Sequence, residues 1–102
     1  MGEFINVANK KDVLAGKAIS VNAKGKDIAL FNVDGKFYAV DNECTHAGAP
    51  LCEGTINGTT VTCPWHGAEF NLSDGQVLAA PACDPIKSYK VMIDGDDIKI
   101  EV

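Results

Sequence analysis

Two short clusters of cysteine and histidine constrain this chain more than any other feature. The first cluster contains Cys44 and His46, and the second contains Cys63 and His66. They include both histidines of the chain and two of its four cysteines. An Asn-Gly pair at 57–58 predicts a tight hairpin turn between them, which would bring both clusters to one end of a β-ribbon. Four side chains that can bind a metal would then converge.

Three interpretations of the clusters are compatible with these residues. One is an iron–sulfur centre in which one iron binds two cysteines and the other binds two histidines. Another is a structural zinc site, but such sites usually place more residues between paired ligands than the single residue between Cys44 and His46. The third is no metal, with the cysteines packed as small apolar residues. The mixed Cys/His pairs favour the iron–sulfur centre.

The rest of the chain predicts an all-β fold. Short runs of β-favouring residues alternate with turn sequences, and no run shows the period of an amphipathic helix. Asp-Gly at 34–35 predicts a type I′ hairpin, because that turn needs a positive φ at both central residues. Residues 88–93 and 98–102 are predicted strands, and the second alternates apolar and charged residues. We therefore expect one domain over residues 1–102, built as a sandwich or a barrel.

The expected core lies in the strands at the two ends of the chain. The middle of the chain, about residues 42–80, looks like a small subdomain of loops and hairpins set on that core. The apolar residues predicted to form the core are Phe4, Val7, Ile19, Val21, Ile28, Leu30, Val40, Val91, Ile93, Ile98 and Ile100.

Charge and hydropathy exclude several classes of function. The formal net charge is −5, and all nine basic residues are lysine. Nucleic-acid binders carry a basic face and favour arginine, so we do not expect nucleic-acid binding. No apolar run reaches the length of a membrane span, and the first residues lack the features of a secretion signal. We expect a soluble cytoplasmic protein, in which cysteines favour metal binding over disulfides.

The acidic residues are concentrated around the two clusters. Residues 37–86 contain six acidic side chains and no lysine. Such a segment is either an ordinary solvated surface or a patch that steers a basic partner.

The two clusters resemble the signature of the Rieske ferredoxins, Cys-x-His followed by Cys-Pro-x-His-Gly. The match is specific within the clusters and extends more loosely over nearly the whole chain. The resemblance implies a [2Fe–2S] cluster in which one iron binds Cys44 and Cys63, and the outer iron binds His46 and His66. It also implies three antiparallel sheets, with a cluster-binding subdomain at one end and the loop around Pro81 covering one side of the cluster.

Two differences from high-potential Rieske proteins indicate which members of the family this chain resembles. Those proteins join their ligand loops by a disulfide, and the corresponding positions here are Ala49 and Trp65. They also place serine and tyrosine hydroxyls against the cluster sulfurs, where this chain has Ala68 and Phe70. Hydrogen bonds to sulfur favour the reduced cluster, so their loss lowers the potential. The chain thus resembles the low-potential ferredoxins of aromatic-ring-hydroxylating dioxygenase systems.

This resemblance implies a one-electron carrier between a flavin-dependent reductase and a terminal oxygenase, without a catalytic site of its own. The alternatives are the small subunit of a nitrite reductase, a redox-sensing regulator and a zinc-stabilised interaction module. We expect a monomer, because an electron shuttle must expose its cluster end. Cys52 and Cys83 are expected to be packed thiols, and a disulfide between them is the alternative.

Overall fold

A computed structural model describes residues 3–43, 50–64, 68–79 and 85–102 of the chain. These residues form eleven β-strands and two short 3₁₀ turns, at Lys10–Asp12 and Leu51–Glu53. No helix in these ranges is long and apolar enough to cross a membrane. The strands in chain order are β1 (Phe4–Asn9), β2 (Ala18–Ala23), β3 (Lys26–Val33), β4 (Lys36–Asp41), β5 (Thr55–Asn57), β6 (Thr60–Thr62), β7 (Glu69–Asn71), β8 (Val77–Ala79), β9 (Ser88–Tyr89), β10 (Val91–Asp94) and β11 (Asp97–Glu101).

The strands form three antiparallel sheets, which confirms the expected architecture. The outer sheet has the order β1-β11-β10, the central sheet β2-β3-β4-β9, and the loop sheet β5-β6-β7-β8. Successive side chains of a strand point to opposite sides. Successive residues of strand β3 are buried, so the strand is buried on both faces. Ile28 and Leu30 pack into one core, and Ala29 and Phe31 pack into another. The central sheet therefore contributes to two separate apolar cores.

The outer core joins the central and outer sheets, and the loop core joins the central and loop sheets. The buried members of the outer core are Val13, Ala23, Ile28, Leu30, Ala39, Tyr89, Ile98 and Ile100. The buried members of the loop core are Ala29, Phe31, Val40, Leu51, Val61, Cys63, Ala68, Phe70, Leu72 and Ile86.

Most of the predicted core residues are buried or pack against these cores, but two predictions were wrong. Phe4 and Ile93 are 38% and 39% exposed. Phe4 pairs with Glu101, next to the fully buried Ile100, so Phe4 lies on the solvent side of the outer sheet. Ile93 lies on β10, an edge strand with no neighbouring strand on its far side.

One hairpin turn lies where the sequence predicted it, and another lies one residue away from its predicted position. Asp34 and Gly35 have φ values of 52° and 88°, which confirms the predicted type I′ turn. In the second hairpin Asn57 pairs with Thr60, so the two-residue loop is Gly58-Thr59 and not Asn57-Gly58. Gly58 has a φ of 61°, as a type II′ turn requires at its first central residue. The predicted turn was therefore misplaced by one residue.

The predicted strand at 88–93 is divided at Lys90. Strand β9 pairs with β4 in the central sheet, and β10 pairs with β11 in the outer sheet. Tyr89 lies next to this crossing, and its partly buried hydroxyl donates to Asp41 Oδ1 at 2.5 Å. The Nζ atoms of Lys26 and Lys87 lie 5.9 and 5.2 Å from the centre of its ring. Both lysines are within cation–π distance.

Tyr89→Phe should lower the free energy of unfolding by about 1.5 kcal/mol at neutral pH, because it removes a hydrogen bond to a carboxylate. Burial and the bond to Asp41 raise the pKa of the Tyr89 phenol. A raised folded-state pKa stabilises the fold below the unfolded pKa of about 10, and this contribution is lost as the pH rises further. The stability difference between parent and variant should therefore shrink at high pH.

Denaturant titrations of both proteins at neutral pH and at about pH 11 measure this change. Tyr38→Phe removes the only other tyrosine of the chain and is the control for loss of a phenol. A difference that stays constant with pH would contradict the role assigned to the hydroxyl.

Candidate metal centre

Of the four predicted ligands, Cys63 lies within the described residues. Cys44, His46 and His66 lie outside them, as does Cys83. Among the described residues no group of three or more histidine, cysteine, aspartate or glutamate side chains converges. The site is therefore built here from Cys63 and from the residues at the ends of the predicted ligand loops.

Cys63 follows β6 directly and belongs to the loop core. Its side chain is 2% exposed, and it continues the alternation of β6, in which Val61 is buried and Thr62 is half-buried. Its N–H donates to the carbonyl of Ala68 at 2.7 Å. This bond extends the pairing of β6 with β7 and closes the chain between residues 63 and 68 into a short connection. The second predicted ligand loop therefore has a closed base, with a buried thiol on its entering side.

The first predicted ligand loop is also closed at its base. Glu43 and Pro50 form an isolated antiparallel bridge on either side of residues 44–49. One residue further out, the Leu51 N–H donates to the carbonyl of Asn42 at 2.7 Å. Leu51 is fully buried and belongs to the same loop core as Cys63. The bases of the two loops therefore share one apolar core.

Gly54 allows the exit of the first loop to approach β6 closely. A Cβ atom at this position would lie 2.3 Å from the carbonyl oxygen of Thr62, which directly precedes Cys63. Only glycine fits such a contact between two backbone segments. This contact brings the exit of the first loop against the entry of the second.

The residues on either side of 80–84 are attached at the same core. Strand β8 precedes this segment and pairs with β7, and Ile86 follows it and is buried in the loop core. The Ile86 N–H donates to the carbonyl of Gly75 at 2.9 Å. The predicted covering loop around Pro81 lies outside the described residues, but both of its ends are attached to the sheet that carries Cys63.

Two residues that share the loop core with Cys63 have apolar side chains. Ala68 and Phe70 are both fully buried in the loop core. Neither side chain has a hydrogen-bond donor, so neither can stabilise added negative charge on a nearby sulfur. The low potential expected from the sequence stays a prediction.

Several acidic side chains lie exposed around these loops. Glu43 and Glu53 flank the first loop, and Asp74 lies in the turn between β7 and β8. Within the described ranges, the two ion pairs involve Glu3 and Asp94, which lie outside residues 37–86. Glu43, Glu53 and Asp74 thus take part in neither of these ion pairs.

Cys52 differs from Cys63 in its position and chemistry. It lies in the 3₁₀ turn after the first loop and is half-buried. Burial, with the nearby Glu53 carboxylate, raises the pKa of the Cys52 thiol. A protonated thiol is a poor nucleophile and a poor metal ligand. The expectation of two packed thiols, with a Cys52–Cys83 disulfide as the alternative, stays a prediction, since Cys83 lies outside the described residues.

Asn42 is the residue of this site that sequence reasoning missed. It is 5% exposed, and its side-chain oxygen accepts a hydrogen bond from the Cys52 N–H at 2.9 Å. The sequence offered one weak signal, a polar residue at the end of a strand just before a ligand cluster. Its bonding partners are distant in sequence and could not be read from it.

The donor set fits an iron–sulfur cluster. Thiolate sulfur is the usual protein ligand of such clusters, and imidazole replaces part of it in Rieske centres. Cys63 supplies a buried thiol at a closed loop base, and the apolar loop core around it limits access of solvent. Low solvent access is one of the properties that control the potential of a cluster.

Comparison with known proteins identifies the family. The model of the Rieske [2Fe-2S] domain matches residues 3–90. The ferredoxin component of the naphthalene 1,2-dioxygenase system of Pseudomonas putida is 35% identical over 100 residues, which cover 98% of this chain and 96% of that protein. The 3-phenylpropionate/cinnamic acid dioxygenase ferredoxin subunit of Escherichia coli (strain K12) is 42% identical over 92 residues, which cover 89% and 86%.

Solved structures give the same result. A chain from the complex of reduced oxygenase and oxidized ferredoxin in carbazole 1,9a-dioxygenase superposes with a TM-score of 0.89 at 30% identity, over 96% of this chain and 92% of that chain. Structures described as nitrite reductase small subunits match at 23% and 24% identity, which shows the shared fold alone. Since the family model covers most of the chain and the named ferredoxins align over nearly its full length, this chain belongs to the Rieske [2Fe–2S] domain family.

Proposed function

We propose that this chain carries single electrons from a flavin-dependent reductase to the terminal oxygenase of a ring-hydroxylating dioxygenase system. Its alignment over most of its length with the ferredoxin components of two such systems carries this proposal. The [2Fe–2S] cluster of the family, when bound, accepts and releases one electron at a time. The chain itself holds the cluster and presents it to partners, and we assign it no catalytic site.

We propose that Cys44 and Cys63 hold one iron and that His46 and His66 hold the other. The buried thiol of Cys63 at the end of β6 supports this assignment. So does the shared core beneath the two loop bases, which holds both ends of each loop. In this proposal residues 42–80 form the cluster-binding subdomain on the two remaining sheets.

The exposed acidic side chains support a role in partner encounter. Glu43, Glu53 and Asp74 would attract a basic surface and raise the rate of association. Redox partners usually bury small interfaces, so the complex should be short-lived. A monomer in the cytoplasm, where thiols stay reduced, suits such a carrier.

Substrate hydroxylation should depend on this chain when it is combined with the reductase and the terminal oxygenase of a ring-hydroxylating dioxygenase system from the same organism. If acidic residues steer the encounter, the rate should fall on the order of tenfold as salt rises from low to high concentration, because counterions screen exposed charges. Reduction of ferricyanide by the reductase alone is the control for salt effects on that enzyme. Hydroxylation that proceeds equally without the chain would refute the proposed function, and a salt-independent rate would refute the steering.

The reduction potential should lie toward the lower end of the span of roughly −150 to +300 mV known for Rieske centres. Ala68 and Phe70 offer no hydroxyl to the site, and both are buried. A spectroelectrochemical titration measures the potential. Phe70→Tyr returns a hydroxyl at the position where high-potential members carry one, and it should move the potential upward. A clearly positive potential for the parent would contradict this prediction.

A further inference from the structure

Asn42 lies two residues before Cys44 and forms hydrogen bonds through both its backbone and its side chain. Its N–H donates to the carbonyl of Asp27 at 3.0 Å, and its own carbonyl accepts from the Leu51 N–H at 2.7 Å. Its side-chain Oδ1 accepts from the Cys52 N–H at 2.9 Å, and its Nδ2 donates to Asp27 Oδ2 at 3.0 Å. Four hydrogen bonds therefore hold one residue that is 5% exposed.

These bonds connect the two ends of the first ligand loop. Asn42 precedes residues 44–49, and its partners Leu51 and Cys52 follow them. The bonds to Asp27 attach this closed base to the start of β3 in the central sheet. Replacing the side chain would leave the backbone bonds in place but would remove both side-chain bonds. The half-buried Cys52 N–H would then lose the acceptor it has in the fold, which is costly for a group shielded from water.

We propose that Asn42 is a positioning residue for the [2Fe–2S] cluster. Asn42 fixes the spacing between the two ends of the 44–49 loop and thereby positions the ligands in that loop. This inference rests on the proposed ligands Cys44 and His46. Asn42 itself is not a ligand, because its amide oxygen and nitrogen are already bonded within the protein. Replacing a residue that orients metal ligands without binding the metal itself commonly lowers metal affinity by about 10- to 100-fold.

Asn32 provides a matched control. It is the other buried polar residue in the described ranges, at 7% exposure. Its Nδ2 donates to the Val13 carbonyl at 2.7 Å, and its Oδ1 accepts from the Gly35 N–H at 2.8 Å. Asn32→Ala therefore removes the same kind of side chain and two hydrogen bonds, but at a hairpin apart from both ligand loops.

The test is the rate at which the oxidised protein loses its cluster to an iron chelator, followed by visible absorbance and by released iron. Asn42→Ala should lose its cluster about tenfold faster than the parent. Asn32→Ala should lose it at close to the parent rate, even if both variants have lower melting temperatures. Equal rates for the two variants would overturn the inference, because they would reduce Asn42 to a general contributor to stability.

A charge-preserving exchange provides a second test if Asn42→Ala does not fold. Asn42→Asp places a carboxylate against Asp27 and should speed cluster loss. Adding Asp27→Asn restores the hydrogen bond between these two side chains with its direction reversed, because the amide at position 27 would donate to the carboxylate at position 42. The double variant should therefore lose its cluster at close to the parent rate. A double variant no slower than Asn42→Asp would overturn the inference. A parent that never contains the cluster would refute the proposed function and this inference with it, whereas a loaded parent with unaffected variants would refute the inference alone.

Discussion

Cys63→Ser is expected to yield a protein without the iron–sulfur cluster, whereas Cys52→Ser is expected to retain it. Serine cannot supply the soft, easily deprotonated sulfur that iron–sulfur clusters require. Cys63 presents a buried thiol at the end of β6, inside the core that joins both loop bases. Cys52 lies in the turn after the first loop, where burial and Glu53 raise its thiol pKa. The two substitutions are chemically identical and differ in location.

Iron and acid-labile sulfide per chain, with the visible spectrum, measure this difference. The reduced parent should be coloured and paramagnetic and should contain iron in place of zinc. A zinc-stabilised module would be neither coloured nor paramagnetic, so these measurements distinguish the two. Because metal binding is coupled to folding, Cys63→Ser should also lower the melting temperature of the purified protein. A Cys63→Ser protein with full iron and sulfide would remove Cys63 from the proposed ligand set.

Gly75→Ala is expected to destabilise the fold by about 2–6 kcal/mol. Gly75 has a φ of +78°, which costs an alanine of order 1–3 kcal/mol. In addition, a Cβ atom there would lie 1.9 Å from the carbonyl oxygen of Ile86. That atom belongs to backbone, so relief requires the chain after residues 80–84 to move away from the loop sheet, at a further cost of about 1–3 kcal/mol.

Gly25→Ala separates the two contributions. Gly25 has the same φ of +78°, and its Cβ would meet no atom within 4 Å, so this variant should show the backbone strain without the overlap. Denaturant titrations give both free energies, and a loss of about 3 kcal/mol would lower the melting temperature by about 12–24 °C in a domain of this size. Equal losses in the two variants would show that the close contact with Ile86 contributes nothing.

Local features of the fold were predictable because they depend on neighbouring residues. The Asp34-Gly35 turn requires two positive φ values in succession, and few other residue pairs tolerate them. The alternation at Ile98 and Ile100 likewise requires one buried face, and both side chains are fully buried. Where two neighbouring arrangements were equally compatible with local residues, the prediction was wrong, as with the hairpin loop at Gly58.

Long-range packing decided the features that local residues left open. The division of the predicted strand at Lys90 follows from its pairing with two different sheets. The loop core was missed almost entirely, because Phe31, Phe70 and Leu72 come together only when the loop sheet packs on the central sheet. Whether an apolar residue faces a core or solvent depends on that packing, which no short segment specifies.

By itself the sequence indicated the family of this protein, since two Cys/His clusters around a hairpin turn match the Rieske signature, and the family model confirms it. A motif is a property of side chains and can be read from their order, whereas the assignment of the four ligands stays a prediction. Only the tertiary structure decided how the site is supported: Asn42 closing the first loop, Gly54 against Thr62, and the bases of both loops on one core. Those contacts depend on strand pairing and on the packing of the loop sheet against the central sheet, which the order of side chains does not specify.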